Sequence, residues 1–147
     1  MPDHTESRIH IEAPPESVLA VIADFEAYPE WAGTVKSTEV LEADENGWAY
    51  QVRFHLDAGA IRDTYTLAYE WDIEDDGSGT MSWYLIEGTV LRGMDGSYTL
   101  TPNDGGCAVD YQLAVELRVP MLGLLRRKAE KVIVDTALNE LKKRVEG

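Results

Sequence analysis

Side chains able to do chemistry at neutral pH are few and widely spaced in this sequence. The three histidines, His4, His10 and His55, fall in the N-terminal tail and in the water-facing phase of two alternating runs. There they converge with no set of Cys, Asp or Glu that could hold a metal. The single cysteine, Cys107, follows Gly105-Gly106 without a basic neighbour in sequence to stabilise its thiolate, and reads as inert. There is no Gly-x-Ser-x-Gly elbow, no glycine-rich phosphate loop before a helix and no His-Glu-x-x-His. Triad hydrolysis, nucleotide binding and zinc proteolysis have no support, and neither a metal nor a cofactor is expected. Aromatic surface, in contrast, is plentiful. Trp48, Tyr50, Phe54, Tyr65, Tyr69, Trp71, Trp83 and Tyr98 all fall in one phase of successive alternating runs. Trp48 and Trp71, near the run ends, suit a packed core, whereas Phe54, Tyr65, Trp83 and Tyr98 suit either a core or the wall of a cavity. Tyr65, Tyr69 and Tyr98 each add a hydroxyl that can orient a carbonyl or hydroxyl on a greasy ligand. Asp63 shares the phase of Tyr65 and reads either as a buried carboxylate or, next to a turn and as the favoured expectation, as a solvated one.

The elements that position these residues follow from periodicity. Ile9 and Ile11 alternate with Arg8, His10 and Glu12, the pattern of a strand with one buried face. Val18, Leu19, Val21 and Ile22 then predict a short helix over Pro15 to Ala23, and Asp24 opens a second helical piece that ends at Pro29. From Val35 onward, long alternating runs are broken by Asp44-Glu45-Asn46-Gly47, Asp75-Asp76-Gly77-Ser78-Gly79 and Asn103-Asp104-Gly105-Gly106, which predicts an antiparallel meander. The opposite phase, with Arg53, His55, Glu70, Gln112 and Glu116, is wet, so only one face needs a cover. That cover is a long helix opening at Pro120 and carrying Leu125, Ala129, Ile133 and Leu141 at helical spacing. About seven strands at ~4.8 Å make a sheet near 30 Å wide, against ~10–12 Å for one helix. The sheet must therefore curl around the helix, leaving a hollow unless large side chains fill it. Gly93 and Gly96 either permit sheet curvature or keep backbone clear of a ligand. Ala58-Gly59-Ala60 reads as a hairpin or as a lid over the hollow.

The chain has 147 residues, 44% hydrophobic and 27% charged, which fits one α+β domain over residues 1–147. A net charge of −14 repels nucleic-acid backbones, so no nucleic-acid partner is expected. One cysteine and no greasy N-terminal stretch point to the cytoplasm. Charge is uneven. Residues 1–117 carry 5 basic and 23 acidic side chains, net −18, while 118–147 carry 8 and 4, net +4. A basic helix face against an acidic body is the plain account. A sharper one has Arg126, Arg127 and Lys131 meeting an anionic membrane surface or an acidic partner in transient contact. Nothing here separates a monomer from a dimer.

The segment Glu12-Ala13-Pro14-Pro15-Glu16-Ser17-Val18, then Asp24-Phe25-Glu26-Ala27-Tyr28-Pro29-Glu30-Trp31, the Gly96-Ser97-Tyr98-Thr99-Leu100 run, Gly105-Gly106 and one final long helix resemble the START-like, polyketide cyclase/dehydrase superfamily of helix-grip folds. The resemblance covers nearly the whole chain. It implies a curved antiparallel sheet of about seven strands around a long C-terminal helix, with two short helices after the first strand. It also implies a ligand cavity between sheet and helix. Phe54, Tyr65, Leu67, Tyr69, Trp83, Leu85, Tyr98, Val115, Leu125, Ala129 and Ile133 are its expected lining, and Trp31, Gly59, Met121 and Leu122 its entrance. Members bind lipids, polyketides, sterols or hormones, and only some are catalysts. Aromatase/cyclase members are credited with an arginine and a tyrosine at positions that align here with Tyr69 and Val35. The favoured expectation is therefore binding, with transport or presentation, of a hydrophobic small molecule. The alternatives are a cyclase or dehydratase using the same pocket, and an interaction module with a vestigial cavity.

Overall fold

The computed structural model describes residues 4–57, 59, 62–118 and 123–147. Strand β1 (Thr5–Ile11) is followed by α1 (Pro15–Ala23), a 3-10 turn (Phe25–Ala27) and α2 (Tyr28–Trp31). Pro29 does not end the second helical piece. It sits in the first turn of α2, where a missing N–H removes no helical bond. Strands β2 (Val35–Ala43), β3 (Ala49–Asp57), β4 (Arg62–Ile73), β5 (Gly79–Gly88), β6 (Leu91–Asn103) and β7 (Gly106–Leu117) then form a meander, and α3 (Gly123–Glu146) completes the chain. The expected helix start at Pro120 lies outside the described residues.

All pairings are antiparallel, in the order β1-β7-β6-β5-β4-β3-β2. The two edges, β1 and β2, are thus consecutive in sequence, and α1, the 3-10 turn and α2 carry the chain across the sheet between them. The β6–β7 hairpin shows how local chemistry fixes register. Asp104 (φ 50°) and Gly105 (φ 79°) are both left-handed, the requirement of a two-residue turn whose twist matches the strands, and Asn103 pairs with Gly106.

Burial differs from the sequence expectation at Tyr50, Thr66 and Asp63. Tyr50 is exposed at 40%, because irregularities in the β2–β3 pairing shift the inward set of β3 to Ala49, Val52, Phe54 and Leu56. Thr66, in the wet phase, is buried, lying in the middle of the sheet between its cross-strand partners Arg53 and Glu87. Asp63, expected to be solvated, is 6% exposed. Its carboxylate accepts N–H bonds from Thr89 (3.0 Å), Val90 (3.0 Å) and Leu91 (2.9 Å), so it gathers the β5–β6 connection over the start of β4.

Helix α3 does not lie along the middle of the sheet. It packs on β1, β7 and α1, and its Val134, Leu138 and Leu141 are buried in the same core as Ile11, Val109 and Leu113. Polar staples hold it there. Glu130, fully buried, accepts from the Val115 N–H (2.7 Å) and the Thr5 hydroxyl (3.0 Å), and Ser7 donates to Asp135 (3.0 Å). Lys142 donates to the His10 carbonyl (2.7 Å), and Glu146 accepts from the Glu12 N–H (2.8 Å). Of the basic residues singled out on this helix, Lys131 pairs with Asp135 (2.8 Å), Arg127 is exposed and Arg126 is half-buried. Among the described residues no helix is long and apolar enough to cross a membrane, and no cluster of side chains could hold a metal.

Candidate functional site

With α3 displaced toward β1 and β7, the other side of the concave face is covered by the 3-10 turn, α2 and a body of aromatic rings. Phe25 reaches down from the 3-10 turn to Tyr69 (ring centroids 4.8 Å apart) and Phe54 (6.1 Å). Tyr28 and Trp31 meet edge-on at 5.0 Å above them. On the sheet, Phe54 stacks on its cross-strand partner Tyr65 (5.6 Å), and Trp83, Tyr98 and Tyr111 form a second group at 4.5–5.6 Å. Gly96 makes this second group possible. It pairs directly with Trp83, and a Cβ there would overlap the indole. Its clearance is filled by a protein ring, neither of the two roles considered from sequence.

The rings do not close completely. A cavity of about 70 Å³ remains between the two groups. From the sheet it is walled by Phe54 and Leu56 of β3, Tyr65, Leu67 and Tyr69 of β4, Trp83 of β5, Met94 and Tyr98 of β6, and Tyr111 of β7. Tyr28, Trp31 and Ala32 close it from α2, and Ile133 and Ala137 from α3. Thr34, Val35 and Ala137 are the lining residues only half buried, so the cavity comes nearest to solvent between the start of β2 and the middle of α3.

Of the residues expected at the site, Phe54, Tyr65, Leu67, Tyr69, Trp83, Tyr98 and Ile133 are thus brought together. Four are not. Leu85 is half-buried at the end of β5, beyond Tyr84–Asp95, the last β5–β6 pair. Val115 and Ala129 are buried away from the cavity, where α3 meets β7. Leu125 is 52% exposed, because the face that α3 buries begins at Ala129 and Glu130. At the expected entrance, Trp31 is part of the wall. Gly59 is exposed and outside it, and Met121 and Leu122 lie outside the described residues. Tyr28, Leu56, Met94, Tyr111 and Ala137 were not singled out from sequence. Leu56, Met94 and Tyr111 do sit in the inward phase, whereas Tyr28 lines the site through a fold-back that alternation does not encode.

The lining is uniform in its electrostatics: among the described residues it holds no cationic or carboxylate side chain. Burial pushes the phenols of Tyr28, Tyr65, Tyr69, Tyr98 and Tyr111 upward, with smaller contributions from neighbouring tyrosines at all but Tyr111, so all five are neutral hydroxyls at physiological pH. Tyr28 donates to the Ile22 carbonyl. Burial also pushes up the Cys107 thiol, which lies on β7 outside the cavity.

Comparison with solved structures finds this architecture repeatedly. A START superfamily protein from Mycobacterium smegmatis superposes with a TM-score of 0.88 at 20% identity, covering 97% of each chain. The Zhui aromatase/cyclase from Streptomyces sp. R1128 gives 0.80 at 18% identity, over 99% of this chain and 94% of that one. A protein from Thermus thermophilus gives 0.80 at 26% identity, over 98% and 97%. No curated protein matches in sequence. The family described as polyketide cyclase / dehydrase and lipid transport matches residues 11–142, nearly the whole of the described fold, and the chain belongs to that family.

Proposed function

We propose that this protein binds an uncharged hydrophobic small molecule in the cavity between the sheet and α2. The observation that carries this reading is the cavity itself: a gap walled by aromatic and aliphatic side chains, with neutral hydroxyls among them and no charge. Desolvation is the driving force such a wall supplies, at ~25 cal/mol per Å² of apolar surface, with shape and a few hydroxyls giving selectivity. The resting volume of about 70 Å³ is smaller than the engineered cavity of about 150 Å³ that admits benzene. A ring-sized ligand therefore enters as a wall gives way. α2 is the wall suited to that, since exposed contacts tie it to α3: Glu140 accepts from the Gly33 N–H (3.0 Å) and Arg144 pairs with Glu30 (3.2 Å).

Cyclase or dehydratase chemistry is the second reading, motivated by the family and by the aromatase/cyclase among the structural neighbours. Proton transfer near neutrality works best with a group whose pKa lies near the working pH. The described lining offers phenols pushed the other way, with Tyr69 and Val35 at the two positions credited with function in cyclases. That supports retention of a ligand over turnover.

Titration with the neutral fluorophore N-phenyl-1-naphthylamine tests the binding reading. Saturable binding at one site is expected, with affinity shifted several-fold by Phe54→Ala or Trp83→Ala and unchanged by Arg53→Ala on the opposite face. Equal effects of all three, or no saturable binding, would overturn it.

A further inference from the structure

Trp31 is 8% exposed and forms part of the cavity wall, yet its Nε1–H is fully buried with no acceptor among the described residues. Buried donors almost always have a partner, because an unpaired one keeps the whole desolvation penalty. The contrast within the molecule is direct. Trp71 lies near the rim of the same aromatic body, and its Nε1–H donates to the Ala49 carbonyl at 2.7 Å. Tyr28, the edge-on neighbour of Trp31, donates its hydroxyl to the Ile22 carbonyl and makes no hydrogen bond to the indole. An indole N–H can donate only, so what completes it is an acceptor. Among the described residues the wall around it holds no cation that would neutralise an anionic ligand, and burying an unpaired carboxylate is strongly unfavourable.

We infer that Trp31 is the residue that selects the ligand's polar group: the cavity takes a neutral, ring-bearing molecule with a carbonyl-type oxygen, which accepts a hydrogen bond from Trp31 Nε1–H. This rests on the cavity being a binding site, and it narrows the ligand class to uncharged aryl or cyclic ketones and related acceptors, as opposed to fatty acids. Trp31 occupies α2, the element proposed to yield on entry, so the same residue is positioned to sense the ligand as the wall closes.

Acetophenone, ethylbenzene and benzoate share a ring and near-equal size, and differ in carrying a neutral acceptor, no acceptor and a charge. Dissociation constants would be measured by NMR titration of the nitrogen-15-labelled protein, following the indole N–H signals. The four tryptophans give four such signals, and Trp31→Phe, which keeps a ring and removes the donor, identifies the one from Trp31. Acetophenone is expected to bind about five- to tenfold more tightly than ethylbenzene, with the Trp31 signal moving for acetophenone alone. The preference is expected to disappear in Trp31→Phe, and benzoate to bind at least tenfold more weakly than acetophenone. Equal binding of acetophenone and ethylbenzene to the wild-type protein, a preference that survives Trp31→Phe, or benzoate binding as tightly as acetophenone would overturn this inference and leave the binding site standing. The wild-type comparison and the indole shift decide the question even if the variant folds poorly. Failure of both neutral compounds to perturb any lining residue would overturn the cavity reading itself.

Discussion

The two sides of the concave face are built on one sheet and finished in opposite ways. Beneath α3, aliphatic side chains interlock on β1 and β7 and three polar residues of the helix are matched, Glu130 by Thr5 and Val115, Asp135 by Ser7 and Lys142 by the His10 carbonyl, while Arg126 Nε near the start of the helix has no described partner. Beneath α2, rings meet at distances down to 4.5 Å around a residual gap, and Trp31 Nε1 in its wall is left without a described partner. Interlocked aliphatic packing leaves no room for a ligand, whereas a ring-lined gap with an unused donor does. On the binding reading proposed above, the difference gives stability to one side and recognition to the other.

Substitutions can break or sharpen that division. The largest effect is expected from Leu138→Ala under α3, about 2–5 kcal/mol of unfolding free energy by denaturant titration, because the aliphatic side cannot collapse around the loss. Glu130→Ala follows at about 2–4 kcal/mol, since it strands a buried N–H and a hydroxyl in the same place. Gly96→Ala drives a methyl group into the Trp83 indole and is expected to cost about 1–3 kcal/mol. Tyr98→Phe on the recognition side keeps the ring and its packing and is expected to change stability by about 0.5 kcal/mol or less. A loss from Tyr98→Phe as large as that from Glu130→Ala would erase the distinction.

Alkaline pH separates the sides in another way. The five lining phenols have pKa values raised in the folded state, against about 10 in an unfolded chain. Protons therefore leave the unfolded state first, so the stabilising contribution is complete below about pH 10 and is lost as pH rises above it. Phenolate absorbance of these five is expected to appear together with the loss of far-ultraviolet circular dichroism. Their ionisation in a protein that remains folded would show that water already reaches the cavity.

Much of this division was visible in the sequence. The alternation of Phe54, Tyr65, Tyr69, Trp83 and Tyr98, together with turns such as Asn103-Asp104-Gly105-Gly106, is local information, and it placed those rings on the concave face. One helix does not span the sheet, but the shortfall is met mostly by rings, leaving a narrow gap. Long-range folding accounts for the remainder. Tyr50 turns outward because the β2–β3 pairing slips, Asp63 is buried by a connection that folds back over it, and Leu125 precedes the face that α3 buries. Tyr28 and Trp31 reach the cavity only because α2 crosses between the two sheet edges, a placement set by the β1-to-β2 topology.

Xenon tests the central claim most directly, because a single atom fits an apolar gap of this size without moving its walls. A crystal pressurised with xenon is expected to show one ordered atom between Phe54, Tyr65, Tyr98 and Ile133, and none between α3 and β1 or β7. Xenon absent from the ring-lined gap, or seated beneath α3, would contradict the assignment of recognition to the aromatic side.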